Sequence, residues 1–375
     1  MLNLAFPRAV TRVADGAALL EHMPTLTGTC RALVEAGMQV LVLQRFEQDI
    51  DITRDDARYC LRRDAQTAAS ARPWTYPGKL LALARAWAPD VVHLNGLIFP
   101  TQVMQARAAL GRQARILVQH HGELPLSRKL RALQRICLRF ADGFIFNGAG
   151  NADAWRVAGI IRATQPVYEA VEGSCDFAPM PMAEAHRITG AHGSPMVLWV
   201  GRLHPRKDPL TALDGFAAAV PYLPNAHFYM IYTDETLLPQ IEARVSATPH
   251  LADRVHLIGK VDHATLPAWY SAADVFLTSS PAEGSNYALI ESMSCSALPV
   301  CSDIPPHRFI TGGLGAQWPV GDAVACADAL VRAFGQASIE RRLAIRHHFD
   351  THLAWASIAQ QLLRAYVQVI KDVQV

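Results

Sequence analysis

The chain has 375 residues, 51% of them hydrophobic and 18% charged, with 35 Lys and Arg against 33 Asp and Glu. A net charge of +2 excludes a protein that coats nucleic acid, whose footprint is strongly basic. No apolar run approaches the roughly 20 residues of a spanning helix, and the length suits two domains, each with a sizeable core.

Short apolar runs alternate with longer amphipathic stretches. Leu2 to Phe6 reads as a first strand; its few apolar residues lack the pattern of a secretion signal, so the expected location is the cytoplasm. Leu26 to Ala36 reads as a helix ended by Gly37, and Val40 to Leu43 as a second strand. Leu80 to Ala88 is a helix stopped at Pro89, and Asp90 to Leu94 a strand. Thr101 to Leu110 is a helix, Ile116 to Gln119 a strand, Leu126 to Phe140 a helix and Gly143 to Phe146 a strand. Strands alternating with helices mean crossover units and a parallel sheet. Residues 170–195, rich in Pro, Gly and Ser, read as a linker.

A second alternating series begins at Met196 to Val200. It continues through the strands His227 to Tyr232 and Val255 to Ile258, the helix Leu266 to Ala272 and the strand Asp274 to Thr278. A helix from Tyr287 to Cys295, the strand Leu298 to Cys301 and a last helix over Ala354 to Lys371 complete it. The expected division is a first domain over 1–170, a linker over 171–195, a second domain over 196–345 and a C-terminal helical region over 346–375. The expected fold is α/β, with two Rossmann-like doubly wound domains facing across a cleft. Ligands in such sheets bind outside the carboxyl ends of the strands. The seven cysteines form no Cys-x-x-Cys pair and read as reduced thiols, neither a disulfide framework nor a zinc set.

Two stretches of the second domain carry chemistry. The strand Met196 to Val200 runs into Gly201-Arg-Leu-His-Pro-Arg-Lys207, where the glycine permits a sharp turn. Arg202 and Lys207 then offer a guanidinium fork and a point charge, which suit a diphosphate; a solvated loop with scattered charge is the alternative. The second stretch is Glu283-Gly-Ser-Asn-Tyr-Ala-Leu-Ile-Glu291, which follows a strand and opens a helix. Gly284, Ser285 and Asn286 suit a helix N-terminus, where amides and dipole favour an anion. Glu291 is placed to accept two hydroxyls, as a ribose offers, and Glu283 to meet the group beyond the phosphate. Either stretch alone says little; their joint occurrence in one domain argues for an anion site.

With these residues in place, the chain resembles the retaining glycosyltransferases of the GT4 group, which have the GT-B architecture. The resemblance runs nearly continuously from about 196 to 325, through Val197 to Lys207, Val255 to Val261, Ala272 to Phe276, Glu283 to Glu291 and Leu298 to Pro305; the first domain matches more loosely. It implies that Arg202 and Lys207 bind the donor diphosphate, that Glu291 holds the nucleotide ribose and that Glu283 bonds the transferred sugar. It further implies backbone contacts to the distal phosphate from Gly284 to Tyr287, Lys260 near the base, and a histidine against the donor sugar. Either His120 or His121 fits that role, and the His-Gly pairing of Gln119-His-His-Gly122 favours His121. The last helix matches the element that crosses back to the first domain. Two positions depart from the pattern: Val13-Ala-Asp15-Gly16-Ala17 has one glycine where the family carries a Gly-Gly turn, and Asn286 stands where Gly is frequent.

The implied reaction moves a sugar from a nucleotide-diphosphate donor, UDP- or GDP-linked, to a small-molecule, lipid-linked or glycan acceptor, with retention. The donor is a co-substrate, so no cofactor is expected. Arg202, Lys207 and the helix amides would stabilise the leaving diphosphate in place of a metal. The Asp49-Ile-Asp51 triplet is expected as a solvated loop and not a metal site. A nucleotide-sugar epimerase, a sugar phosphorylase and a non-catalytic nucleotide-sugar binder share the architecture. A glycosidase fits poorly, because eight residues of helix span about 12 Å where paired carboxylates stand about 5 to 9.5 Å apart. A Rossmann dehydrogenase is disfavoured, since no Gly-x-Gly-x-x-Gly follows the first strand. Finally, Ser127 to Phe140 holds Arg128, Lys129, Arg131, Arg135 and Arg139 without an acid. It reads as a docked helix with a solvated basic face or as a peripheral contact with an anionic membrane.

Overall fold

A computed structural model describes residues 15–63 and 75–372. Its chain divides into two units, Met1–Gly173 with Trp355–Val375, and Ser174–Ala354. The expected strand Leu2 to Phe6 and the residues Val13 and Ala14 lie outside the described residues.

In the first unit, β4 (Val91–Asn95), β5 (Arg115–Gln119), β6 (Gly143–Phe146) and β7 (Val167–Glu169) form a parallel sheet in that order. Val92, Leu94, Ile116, Val118, Phe144 and Phe146 build its core. A second sheet holds β1 (Leu41–Arg45), β2 (Ile50–Arg54) and β3 (Ala57–Arg62), ordered β1-β3-β2. The last two strands correct the reading of Asp49-Ile-Asp51 as a loop. They form a hairpin whose turn places Asp55 and Asp56 at φ 49° and 56°, the left-handed pair that matches strand twist. Asp49 accepts from Lys79 Nζ at 2.9 Å and from the Arg63 amide at 2.6 Å, while Asp51 takes Arg62 Nη2 at 2.7 Å.

The helix expected over Leu126 to Phe140 is shorter, Arg131–Leu138. The buried Gln134 explains the difference: its Oε1 accepts from the Leu126 amide at 3.0 Å and its Nε2 donates to the Leu97 carbonyl at 3.0 Å, which holds the incoming segment in a non-helical path. The final helix, Trp355–Lys371, packs on Pro24–Glu35. Gly28 is the contact point, since a Cβ there would sit 2.4 Å from the Trp355 ring. Tyr366 fixes the same helix to β4 through His93 Nδ1 at 2.6 Å, while His93 Nε2 meets Gln119 Oε1 at 3.0 Å. Burial pushes His93 down to about 3, so the ring is neutral: Nε2 donates and Nδ1 accepts the tyrosine proton.

The second unit is built on one six-stranded parallel sheet: β8 (Met196–Gly201), β9 (His227–Tyr232), β10 (Val255–Gly259), β11 (Val275–Thr278), β12 (Leu298–Ser302) and β13 (Ala316–Trp318). The order is β10-β9-β8-β11-β12-β13. Near-continuous apolar runs make these strands, and Val197, Leu198, Phe228, Met230, Phe276, Leu277 and Val300 are fully buried, as two-faced parallel sheets require. Part of the expected linker folds as well. Met182–Thr189 is a helix packed on Leu266–Ala272, and its one buried residue, Ala185, left too little apolar pattern to read. Strand order reverses between β8 and β11, so the loops leaving their carboxyl ends part there and open a crevice.

Candidate functional site

The loop after β8 turns through Arg202 to Asp208, and the loop after β11 runs from Ser279 to Asn286; both leave the switch point of the second sheet. Gly201 is needed there for a reason other than the one read from sequence. Its φ is not left-handed; instead a Cβ would lie 2.9 Å from the Trp199 ring. The left-handed residue of this turn is Asp208, at φ 46°, whose carboxylate caps Pro209–Ala219 through the Thr211 amide. Ser279 Oγ sits 2.9 Å from the Lys207 carbonyl and 2.6 Å from that of Asp208, and so ties one loop to the other.

That tie brings Lys207 and Glu283 into a direct ion pair, with both side chains largely shielded from solvent. The Arg202 and Lys260 side chains are exposed and make no hydrogen bond or ion pair among the described residues. Gly284 and Ser285 are buried, and Tyr287, half-buried, is the first residue of the helix Tyr287–Ser294.

Asn286 caps that helix, its Oδ1 accepting from the Leu289 amide at 3.4 Å. Its Nδ2 donates to Thr278 Oγ1 at 2.9 Å and to His307 Nε2 at 3.1 Å. His307 is fully buried, and burial pushes it down to about 4. The neutral ring donates from Nδ1 to the Ser302 carbonyl at 2.8 Å, which leaves Nε2 as the acceptor Asn286 needs. So a histidine after β12 fixes the amide that caps the helix.

Glu291 differs from expectation. One oxygen already accepts the Tyr270 hydroxyl at 2.9 Å and the other meets His263 Nε2 at 3.3 Å. Burial and the neighbouring carboxylate push Tyr270 well above its usual range, so it stays a donor; the hydrogen bond to Glu291 raises His263. Each oxygen keeps a further lone-pair direction for an incoming hydroxyl.

In the first unit the histidine pair separates cleanly. His120 is buried, stacked on Phe146 at 4.8 Å with Trp155 edge-on at 5.9 Å, and burial lowers it. His121 meets acceptors on both ring nitrogens: Glu172 Oε1 at Nδ1 and, at 2.9 Å, Asn95 Oδ1 at Nε2. Two acceptors favour a proton on each nitrogen, the imidazolium form. Burial works against the charge, but the charge and hydrogen bond of Glu172, with Glu123 behind them, outweigh it and raise the pKa. Replacing Glu172 by Gln is expected to bring His121 back to or below about 6.5, the free value; NMR titration of the ring checks this, and an unmoved titration contradicts it.

Sequence reasoning missed Ser279, His307, Tyr270, His263, Asn95 and Glu172. None has a motif, and each acts on a partner distant in sequence. The basic segment also changes on inspection: Cys137 and Gln134 face inward, whereas Leu130, Leu133, Ile136 and Phe140 are exposed beside Arg128, Lys129, Arg135 and Arg139.

Residues 194–336 match the family described as Glycosyl transferases group 1, and residues 25–165 match Glycosyltransferase Family 4. Among curated proteins, a phosphatidyl-myo-inositol mannosyltransferase of Mycobacterium leprae is 27% identical over 178 residues, 46% of each chain. A mannosylfructose-phosphate synthase of Agrobacterium fabrum is 30% identical over 207 residues, 50% of this chain and 44% of the relative. The matches thus span about half the length of these relatives. Among solved structures, sucrose-phosphate synthase from Thermosynechococcus elongatus superposes with a TM-score of 0.70 at 21% identity, covering 99% of both chains. HepE of Anabaena in complex with UDP gives 0.72 at 15% identity, covering 98% of both. These likenesses establish the two-domain GT-B fold.

Proposed function

The chain belongs to the family 4, group 1 glycosyltransferases of GT-B architecture, and on that premise we propose that it moves a sugar from a nucleotide-diphosphate donor to an acceptor, without a metal and with retention at the anomeric carbon. The observation that carries this reading is the pairing of Lys207 with Glu283 across the switch point of the second sheet. A cation and a carboxylate are held there by two adjacent loops, at the place where open α/β sheets take their ligands.

In this reading the diphosphate draws Lys207 from Glu283 and adds the exposed Arg202. Both cations stabilise charge that builds on the leaving group as the anomeric bond breaks. Glu283 is then released to accept hydroxyls of the transferred sugar. Glu291, oriented by Tyr270 and His263, receives the ribose, Lys260 lies toward the base, and Gly284 to Tyr287 meet the distal phosphate. His121, as imidazolium, is the histidine assigned to the donor sugar. The leaving phosphate takes the acceptor proton on the face it vacates, which gives retention. Solved relatives contain UDP, and the curated ones are named for mannosyl transfer to an inositol lipid and for synthesis of a sugar phosphate. They support a nucleotide-diphosphate sugar donor, which this reading takes as UDP- or GDP-linked, with a small-molecule, lipid-linked or glycan acceptor. Incubation with labelled donors tests the reading: glycosylated product with nucleotide release supports it, and epimer formation or binding without turnover replaces it.

A peripheral membrane contact belongs to the same proposal. Among the described residues no helix is long and apolar enough to cross a membrane. The exposed Leu130, Leu133, Ile136 and Phe140, framed by cations, match an anionic surface, each cation adding about 1 kcal/mol near it. The protein is expected to float with vesicles containing phosphatidylglycerol and not with phosphatidylcholine alone. Equal flotation, or none with either, removes this part.

A further inference from the structure

β8, β9 and β10 run parallel, so the segments leading into them meet at one end of the sheet. The loops with Lys207, Lys260 and Glu283 leave the other end, about 20 Å away for a strand of six residues. Three histidines gather at the leading end: His192 in the loop before β8, His227 as the first residue of β9 and His256 as the second of β10. One ring nitrogen from each lies within 4.8 Å of the other two. His227 Nδ1 and His256 Nε2 are 2.9 Å apart, and His192 tilts over His227 with ring centroids 4.4 Å apart.

The surroundings hold this cluster in place. Tyr229 stacks on His256 at 4.3 Å, while its hydroxyl accepts from the His192 amide at 2.9 Å and lies 3.1 Å from the His192 carbonyl. The next residue, Gly193, has φ +119°, and a Cβ there would lie 2.9 Å from His227 Cβ. Only a glycine lets this loop lie so close to β9. Ser194 and His227 extend the attachment through backbone bonds to Asn225 and Pro195 at 2.8 and 3.1 Å.

We propose that His192, His227 and His256 form a binding site for a divalent transition-metal ion of the zinc class, one ring nitrogen from each, with water at the remaining position. Imidazole is the ligand that zinc, nickel and copper share. A tetrahedral zinc with bonds near 2.1 Å needs ligand nitrogens about 3.4 Å apart, so modest ring rotation closes the set. Burial, with the neighbouring rings, lowers His227 and His256, which favours the neutral form a ligand requires. His192 is exposed and the other two are half-buried, so an ion has access from solvent. The bound ion fastens the loop before β8 to two strands, away from the transfer chemistry.

The test is calorimetric titration of zinc sulfate into the full, tag-free chain after chelator treatment. One saturable equivalent and a rise in melting temperature are expected. His192→Ala, on an exposed loop, should weaken binding at least about tenfold, since even outer-shell changes cost about 10- to 100-fold. His256→Ala should do the same, and sugar transfer by His192→Ala should match the parent protein. Absence of saturable binding overturns the proposal. So does a His192→Ala variant that binds zinc as the parent does, because the ion then sits elsewhere.

Discussion

Lys207→Ala is expected to lower kcat/KM for transfer by roughly 10²- to 10³-fold, the usual loss when one preorganised donor to a developing negative charge is removed. The structure adds a second consequence. Lys207 is paired with Glu283, and both are largely shielded, so its removal also leaves a carboxylate without its partner. Nucleotide affinity should therefore fall together with turnover. Glu283→Gln should behave differently. It frees Lys207 for the phosphates, so nucleoside diphosphate binds at least as tightly as before, while transfer falls by a comparable factor because the contact to the sugar is lost. Steady-state kinetics beside nucleotide titration separates the two. Full turnover by either variant contradicts the assigned roles.

The second large effect is on acid stability. His307 is buried in the second unit and held near 4, against about 6.5 unfolded. Between these values the unfolded chain binds the extra proton, so stability rises with pH through that window and is lost as pH falls from 6.5 toward 4. At full slope one such site costs about 1.4 kcal/mol per pH unit, or about 3 kcal/mol over the window. Protonation also places an N–H against Asn286 Nδ2, a donor facing a donor, so the helix cap that precedes Tyr287 fails with it. Hydrogen exchange in β12, corrected for intrinsic rates, reads the second unit alone. Protection should fall steeply below pH 6.5 in the parent chain and more gently in His307→Gln; equal slopes contradict the assignment. His93 pulls the first unit the same way, down to about 3, but His121, whose pKa is raised, opposes it there.

Most of the parallel strands were legible because they read as unbroken apolar runs, Met196 to Val200 or Val275 to Thr278; the three-residue strands Val167–Glu169 and Ala316–Trp318, only partly buried, were not. The hairpin from Ile50 to Arg62 was not, since its few apolar residues are interleaved with Asp and Arg and its turn is the uncommon Asp-Asp. The helix Met182–Thr189 buries only Ala185 and sits in a stretch rich in Pro, Gly and Ser, which reads as a linker. At the site, Arg202, Lys207 and the stretch from Glu283 to Glu291 stood out by local spacing, whereas Lys260 and His121 followed only from the family resemblance. Their supports were invisible: His307 acts on Asn286 across 21 residues, Tyr270 on Glu291 across 21 and Glu172 on His121 across 51. Such distances are set by strand order, which no local pattern encodes. The three clustered histidines were hidden for the same reason.

The central claim is that the loops after β8 and β11 grip a pyrophosphate. Titration of UDP and GDP, each beside its monophosphate, into the parent chain and into Arg202→Ala/Lys207→Ala tests it most directly. The account predicts that one diphosphate binds the parent chain more tightly than its monophosphate, and that the double variant loses at least about tenfold, or 1.4 kcal/mol, for that diphosphate with little change for the monophosphate. A double variant that binds both diphosphates as the parent chain does would contradict it.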